Sequence, residues 1–508
     1  MAERIEDGRV VVPAGLHPSE TATTPPSAST SSEPTHSENE RILTCVNDVE
    51  EGQRSYRPGG FHPVRIGDVY AKRYQVLLKL GFGRYSTVWL VQDLQAETEQ
   101  YRALKILSAE CHEPGVRFWE REILHRLREG DQSDPGYDFI CHLLDDFEHV
   151  GPNGVHYCFV FDAAAYDLQT YQSWFPEKRV PTWRMKAITA QLLLALNYAH
   201  LQGVIHTDIK PRNILVKLDD PDLIKKRLGA RSLYTEEQLL RMRLLTESLH
   251  HLPAYACWRG EMLEIENSMN VAEGRARQTP ALATDERVHN AESKISKVLE
   301  PSKELPGTYT IVETADFYGL YDDPHVYDDV QISLGDWGAA SWVDRHLTKL
   351  IQPVTLRAPE VLIEAEWDYT TDLWNLGAVI FEVFRNVRLF NGERTPSFRS
   401  GYDLQEHLRQ IIDVFGPFPR QFLEQGSPNV VGELFNAEGT VWDVLGEIGP
   451  RVKRNPLETI GYEFWSDVTE TDLLQFTRFL KAMMKINPTE RASIGKLVEE
   501  DWLSGLLG

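Results

Sequence analysis

The stretch Val204 to Val216, VIHTDIKPRNILV, limits what this chain can be more than any other part of it. An apolar pair, Val204-Ile205, leads into polar or proline-restricted positions at His206, Thr207, Asp208, Lys210, Pro211 and Arg212. Only Ile209 interrupts them before Asn213 and the apolar run Ile214-Leu215-Val216. That pattern predicts a short strand, a tight loop and a second short strand, with the loop presenting side chains to a cleft. Asp208, Lys210 and Asn213 then fall within six positions. They offer a carboxylate able to accept a hydroxyl proton, a fixed cation for phosphate, and an amide oxygen for a divalent metal. Taken singly, each would read as ordinary solvated polarity.

Phosphate chemistry also needs a cradle for a phosphate chain, and the region around Arg73 to Leu107 has that pattern. Arg73-Tyr-Gln-Val-Leu-Leu-Lys-Leu80 predicts a strand; Gly81-Phe-Gly83-Arg-Tyr-Ser86-Thr-Val88-Trp-Leu-Val and then Tyr101-Arg-Ala103-Leu-Lys105-Ile-Leu follow. Glycines at 81 and 83 let a strand-turn-strand backbone come close to phosphates, and Val88 would cover a flat base. A lone G-x-G is weak evidence, because bulges and hairpins explain most of them. Lys105 strengthens it: two positions after Ala103 on a strand, it shares that residue's face. No G-x-x-x-x-G-K-[ST] occurs, so a P-loop site is not supported.

A cation at position 105 requires a counter-charge, and the helix-like run Val116 to Leu127 supplies Glu120 and Glu122. Cys141-His-Leu-Leu-Asp-Asp-Phe and His156-Tyr-Cys-Phe-Val-Phe161 predict adjacent strands joined by Gly151-Pro-Asn-Gly154, before Asp162-Ala-Ala164-Ala-Tyr breaks the pattern. Apolar residues at Met185, Ile188, Leu192, Leu196 and Tyr198 predict a buried helix from Pro181 to His200. After Val216, strand character returns only at Val330-Gln-Ile-Ser-Leu. Residues of about 217–330 read as an insert, a largely flexible spacer with helical ends. One helix is expected over Asp222 to Leu228 and another from Thr235, where Thr235-Glu-Glu-Gln238 is a capping-box pattern. Lys225-Lys226-Arg227 is too short to be a nuclear signal.

The opening loop closely resembles the H-R-D-x-K-x-x-N catalytic loop of the protein kinases, with Thr207 where most of them carry Arg. Further elements follow in that family's order. Leu334-Gly335-Asp336-Trp337-Gly338 resembles the D-F-G element with Trp in the aromatic place, and Arg357-Ala-Pro-Glu360 resembles the A-P-E motif. Arg491 sits where the family has the buried partner of Glu360, and Asp372 resembles the aspartate that holds the catalytic-loop backbone. The G-x-G-x-x-S-T-V-W turn, the His-Thr-Asp-Ile-Lys-Pro loop and the place of the spacer are similar to the SR-protein kinases, the kinases of serine/arginine-rich splicing factors, and their divergent filamentous-fungal relatives.

The resemblance implies an α+β, bilobal protein kinase fold. A small β-rich N-lobe would span about 66–162 and a larger helical C-lobe about 163–507, the latter interrupted by the long insert. It implies catalytic Asp208 and Lys210, magnesium ligands Asn213 and Asp336, and the structural residues Glu360, Asp372 and Arg491. Aligned with the family's C-helix, Glu120 faces Lys105 and Leu124 points the same way into the core; the competing Glu122 register would put charged Arg126 there. ATP would be held by Leu80, Gly81, Gly83, Ser86, Val88, Ala103, Lys105, Glu120 and Leu215. The hinge would contribute Asp162 and Ala164, with Phe161 as gatekeeper.

Of the 508 residues 42% are apolar, enough for one large two-lobed domain. With 53 Lys+Arg against 76 Asp+Glu, the net charge is -23. So acidic a chain argues against a nucleic-acid backbone or an anionic membrane as partner, and suits a basic peptide. Cys45, Cys111, Cys141, Cys158 and Cys257 form no C-x-x-C pair, which predicts free thiols in a reducing compartment. No run approaches the ~18 apolar residues of a membrane span, and no apolar signal core follows Met1, so the cytoplasm or nucleus is expected. Residues 1–60, with the tract ETATTPPSASTSSEPTHSENE, are too poor in apolar residues to offset their ordering entropy. They are expected to form a disordered Ser/Thr/Pro-rich tail, with order beginning near Ile66.

The expected function is that of a monomeric serine/threonine protein kinase using ATP and Mg2+ on protein substrates, Arg/Ser-rich proteins by resemblance. A pseudokinase that binds ATP or a partner without transfer is the competing reading. Two departures keep it open: Trp337, and Pro353-Val-Thr-Leu in place of the Thr-Arg-x-Tyr lead-in before R-A-P-E. Thr207 cannot make the ion pair by which an Arg grips a phosphorylated activation loop. Activity without such phosphorylation is therefore expected.

Overall fold

A computed structural model of the chain describes residues 50–112, 118–217, 224, 225, 228, 330–393, 401–442, 457 and 467–504. The first part is an antiparallel sheet of six strands, β1 (Val69–Tyr70), β2 (Tyr74–Phe82), β3 (Ser86–Asp93), β4 (Tyr101–Leu107), β5 (Asp145–Gly151) and β6 (Gly154–Asp162), in the order β1-β2-β3-β4-β6-β5. Residues directly opposed across such strands share a face. The register sets Val88 opposite Lys105 and Lys105 opposite Phe159; one step along, Ala103 faces Phe161. Among the described residues, one α-helix, α1 (Glu120–Arg128), joins this sheet. It buries Glu120, Ile123, Leu124 and Leu127, the i, i+3, i+4, i+7 stripe of an amphipathic helix, and its basic last turn complements the helix dipole.

The second part is mainly helical. After β7 (Ala164–Asp167) and α2 (Leu168–Ser173), the central helix α3 (Thr182–Leu201) is buried on most sides, as its lack of amphipathic bias requires. It delivers the chain to β8 (Val204–Ile205) and β9 (Ile214–Lys217). Beyond the insert, β10 (Ile332–Leu334) pairs directly with β9, Ile332 opposite Val216 and Leu334 opposite Ile214, in a sheet ordered β10-β9-β7. Two strands that would otherwise form a hairpin thus stay neighbours across a very long loop. Closure entropy grows only logarithmically with loop length, so the sheet tolerates this. The described remainder comprises β11 (Ser341–Trp342), which pairs with β8, and helices α4 (Pro359–Leu362), α5 (Thr371–Arg385), α6 (Leu404–Phe415), α7 (Arg420–Leu423), α8 (Pro428–Leu434), α9 (Glu470–Met483) and α10 (Ile494–Val498). One apolar core runs through this lobe and reaches α1 through Ile123, Leu124 and Leu127. Among the described residues, no helix is long and apolar enough to cross a membrane.

Four expectations need correction or narrowing. Order begins by Glu50 rather than near Ile66: Gln53–Ser55 form a turn of 3-10 helix, and Phe61 and Val64 are buried. The composition of residues 1–60 concealed this because the partners that order residues 50–60 lie elsewhere in the chain. Residues 1–49 lie outside the described residues. The strand expected from Cys141 enters the ladder only at Asp145, since the Cys141 N–H is spent on the Leu334 carbonyl at 2.9 Å. Helix α1 begins at Glu120; the expected start at Val116 lies outside the described residues. Of the helix expected over Asp222 to Leu228, residues 224, 225 and 228 are helical, and Ile224 is buried against Leu78, Leu90 and Tyr101. The helix expected from Thr235 falls outside the described residues.

Candidate active site

The loop between β8 and β9 is shaped by what holds its backbone. Asp372, fully buried in the first turn of α5, accepts the N–H groups of His206 and Thr207 at 2.8 and 2.9 Å, and meets His200 Nε2 at 2.9 Å. Three residues on, Asn375 takes both polar groups of Ile209, accepting its N–H at 3.0 Å and donating to its carbonyl at 2.8 Å. Thr207 is left-handed, φ +64°, and its hydroxyl donates to the Ala339 carbonyl at 2.7 Å. His206 accepts the Asp208 N–H at Nδ1 (3.2 Å), so its Nε2 carries the proton and donates to the Gly335 carbonyl (3.0 Å). Its ring lies against buried Trp337, centroids 4.5 Å apart, and the indole N–H is satisfied by the Leu334 carbonyl. Tryptophan therefore fits the aromatic place of the D-F-G-like element without an orphaned donor.

Held in this way, Asp208, Lys210 and Asn213 converge. Lys210 Nζ lies 2.6 Å from Asp208 Oδ2, while Asn213 Nδ2 donates to the Asp208 carbonyl at 2.9 Å and to Oδ2 at 3.2 Å. The amide nitrogen of Asn213 is thereby spent, leaving its oxygen as the atom available to a cation. The Asn213 carbonyl accepts the Gly335 N–H at 2.8 Å, which ties the loop to the residue before Asp336.

Lys105 meets two carboxylates, Glu120 Oε1 at 2.6 Å and Asp336 Oδ1 at 2.9 Å. Burial works to lower its pKa, but Asp336 and Glu120 outweigh that and hold it above the usual lysine range. The Lys105 charge holds Asp336 down at about 2. Burial pushes Glu120 up against the opposing pull of Lys105. Asp336 is left-handed, φ +57°, and its side chain remains 47% exposed. Glu120 Oε2 is buried without a partner. A Cβ on Gly338 would stand 3.1 Å from that oxygen, so glycine is what lets the segment pass so close to Glu120. Glu122 is exposed, and of the two candidate counter-charges only Glu120 reaches Lys105.

The glycine-rich turn is held by the Gly83 N–H on the Ser86 carbonyl at 2.8 Å. A Cβ built on Gly81 would meet nothing within 4 Å, and one on Gly83 only Ser86 Oγ at 3.7 Å, so the cradle has open space beside it. Leu80, Val88, Ala103, Phe161, Ala164 and Leu215 are all half-buried, neither sealed in core nor fully in water. Asp162 is exposed and pairs with Arg102 at 2.9 Å. Oxygen donors at Asn213 and Asp336, a lysine with surplus negative charge around it, and an open glycine turn together suit a magnesium-bound nucleoside triphosphate.

Below the site, Arg491 and Glu360 form a two-pronged pair at 2.7 and 2.6 Å, both side chains fully buried. Sequence reasoning passed over two residues of this region, Asn375 and Gln352. Gln352 is left-handed, φ +66°, and buried. Its N–H donates to the Thr207 carbonyl at 3.0 Å, its amide nitrogen to the Thr371 carbonyl at 2.9 Å, and its amide oxygen accepts the Ala358 N–H at 2.8 Å. Asn375 carried a usable signal, a polar residue three positions from Asp372 and followed by the run Leu376 to Phe381 with no polar side chain; Gln352 carried none. With Arg357 Nε on the Ile351 and Gln352 carbonyls (3.2 and 3.3 Å), these bonds fix the segment that leads into Pro353-Val-Thr-Leu.

The chain is similar to known protein kinases. The model of the protein kinase domain matches residues 74–226 and 324–503, leaving the insert as the gap. Protein kinase dsk1 of Schizosaccharomyces pombe is 28% identical over 91% of this chain and 86% of its own length. Serine/threonine-protein kinase SRPK of Physarum polycephalum is 28% identical over 90% and 91%, and human SRSF protein kinase 3 is 28% identical over 91% and 92%. Among solved structures, the PF14_0431 kinase domain superposes with a TM-score of 0.53 at 20% identity, covering 87% of this chain and 98% of that one, a likeness of fold. The chain belongs to the protein kinase family, whose members transfer phosphate from ATP with magnesium, and it carries a long insert between two strands of its larger lobe.

Proposed function

We propose that this chain is a serine/threonine protein kinase whose acceptors are Arg/Ser-rich proteins. The carrying observation is the convergence of Asp208, Lys210 and Asn213, tied through Gly335 to Asp336 and so to the Lys105–Glu120 pair. Asp208 orients the acceptor hydroxyl and takes up its proton. Lys210, already on Asp208, is placed to steady the phosphate in transfer, and Lys105 the rest of the phosphate chain. Asn213 and Asp336 would hold the magnesium ion. Bound Mg2+-ATP supplies the phosphoryl group and the charge that neutralises its oxygens. Thr207 and Gln352 hold the segment from Ala339 to Arg357, in the place of the family's activation loop, by neutral hydrogen bonds, which supports activity without phosphorylation of that segment. The substrate class rests on likeness to kinases named for SRSF proteins and on the net charge of -23, which favours basic acceptors.

The test is a Mg2+-ATP transfer assay with an arginine-serine peptide, a proline-directed peptide and a generic basic protein, run on wild type and Asp208→Asn. Asp208→Asn is expected to lower turnover by about 10²–10⁴-fold while ATP affinity stays within about twofold. Wild-type turnover in Asp208→Asn would remove Asp208 from its role. Binding of ATP with no transfer to any acceptor would establish the pseudokinase instead.

A further inference from the structure

We propose that Glu50 and Glu51 are positioning residues for the glycine-rich turn, gripping Lys79 and through it the end of β2 from which Gly81 and Gly83 approach a nucleotide. The proposal rests on the kinase reading of the site and adds residues from outside the matched domain, which begins at residue 74. Lys79 lies two positions before Gly81, and its side chain is fully buried. An ammonium removed from water is costly unless paired. Its Nζ stands 2.7 Å from Glu50 Oε2 and 2.5 Å from Glu51 Oε2, and both carboxylates are themselves buried or nearly so. The same Nζ lies 5.1 Å from the ring centroid of Phe82, the last residue of β2, so the ammonium contacts the strand on the far side of Gly81 as well.

The turn needs such an anchor. The β2–β3 ladder shifts register twice, between Val76 and Leu78 and again between Lys79 and Gly81, so the ladder is interrupted where the turn begins. Among the described residues, nothing stands within 4 Å of where a Cβ on Gly81 would be, so none of them fixes the turn from that side. The acidic pair is itself held in place. Glu51 accepts the Tyr56 hydroxyl on its second carboxylate oxygen and the Ser55 hydroxyl on its carbonyl at 2.7 Å. Further along, the Gly59 N–H donates to the Asn153 carbonyl (2.8 Å), and the N–H groups of Glu110 and Ala109 donate to the carbonyls of Gly59 and Gly60 (2.7 and 2.9 Å). Residues 50–61 are therefore a strap. One end is fastened to the β5–β6 turn and to the segment after β4, the strand carrying Lys105; the other grips β2 behind the glycines.

Two variants separate positioning from mere charge compensation: Glu50→Gln with Glu51→Gln, and the same pair combined with Lys79→Met, which leaves no ammonium behind. The readouts are amide hydrogen exchange over residues 80–88 against 154–162, melting temperature, and KM for ATP against kcat and acceptor KM. Positioning predicts at least about tenfold faster exchange at 80–88 with 154–162 unchanged, an increase corresponding to the loss of about 1.4 kcal/mol of local stability. It also predicts a similar rise in ATP KM, little change in kcat or acceptor KM, and persistence of these effects in the triple variant even where melting recovers. Return of exchange and ATP KM to wild type in the triple variant would overturn the proposal, as would acceleration spread evenly over the sheet. Exchange is read without turnover, so an inactive wild type would count against the kinase reading and leave the strap tested.

Discussion

Glu360–Arg491 and Glu120–Lys105 are both buried carboxylate–cation pairs, yet they are completed differently. In the first, one carboxylate meets one guanidinium on two prongs; Arg491 also donates to the Thr370 and Lys485 carbonyls and lies over the Trp374 ring. All three guanidinium nitrogens and both carboxylate oxygens have partners, so the pair carries no surplus charge. In the second, one ammonium serves two carboxylates, of which Asp336 is half exposed and Glu120 keeps an unpartnered oxygen. The surplus is negative, and Asp336 presents part of it to solvent. A pair closed on all sides holds a fold together, and a pair left one charge short can receive a cation.

Glu360→Gln offers the largest way to break this contrast. It would leave the Arg491 guanidinium buried against a neutral amide, at a cost of about 3–5 kcal/mol, read as a fall in the urea midpoint. Turnover per folded molecule should hardly move. A variant as stable as wild type but slow in transfer would make this pair part of the site and erase the distinction.

Next in size is Lys105→Met, expected to lower kcat/KM by about 10²–10³-fold. Its melting temperature should fall less than that of Glu360→Gln, because Glu120, already pushed up by burial, can take a proton once the ammonium is gone. Equal losses of stability from the two variants would mean that both pairs are structural.

The partners of both pairs were expected through the kinase resemblance rather than from spacing alone, and the difference in how the two pairs are completed came only with the structure. Glu360 and Arg491 lie 131 positions apart, and the fold brings them to 2.6 Å. The strand-loop-strand at 204–216 was legible because its apolar flanks and polar centre alternate within one window. The strap was not. Glu50 and Glu51 sit at the end of a polar tract, and only the buried Lys79, a residue that sequence alone would place in water, shows why they are ordered. Gln352 was equally hidden, since its bonds go to the backbone of Thr207, Thr371 and Ala358, and backbone partners leave no trace in composition. Pairing that depends on tertiary approach escapes any reading by window, whether it builds the lobe or the site.

The smallest effect sharpens the comparison most narrowly. Glu122 is the same residue type as Glu120, two positions on, and at 100° per residue it projects well away from it. Glu120 falls on the stripe with Ile123, Leu124 and Leu127 that faces the core, and Glu122 is left in water. Glu122→Gln should therefore leave kcat and ATP KM within about twofold of wild type, as surface substitutions away from such features do. The measurement is a full ATP titration beside Lys105→Met, since a single-concentration assay would mix the two constants. A tenfold loss of kcat in Glu122→Gln would mean that α1 turns during the working cycle and presents its other glutamate to Lys105. The closed and open pairs would then differ in motion as well as in charge.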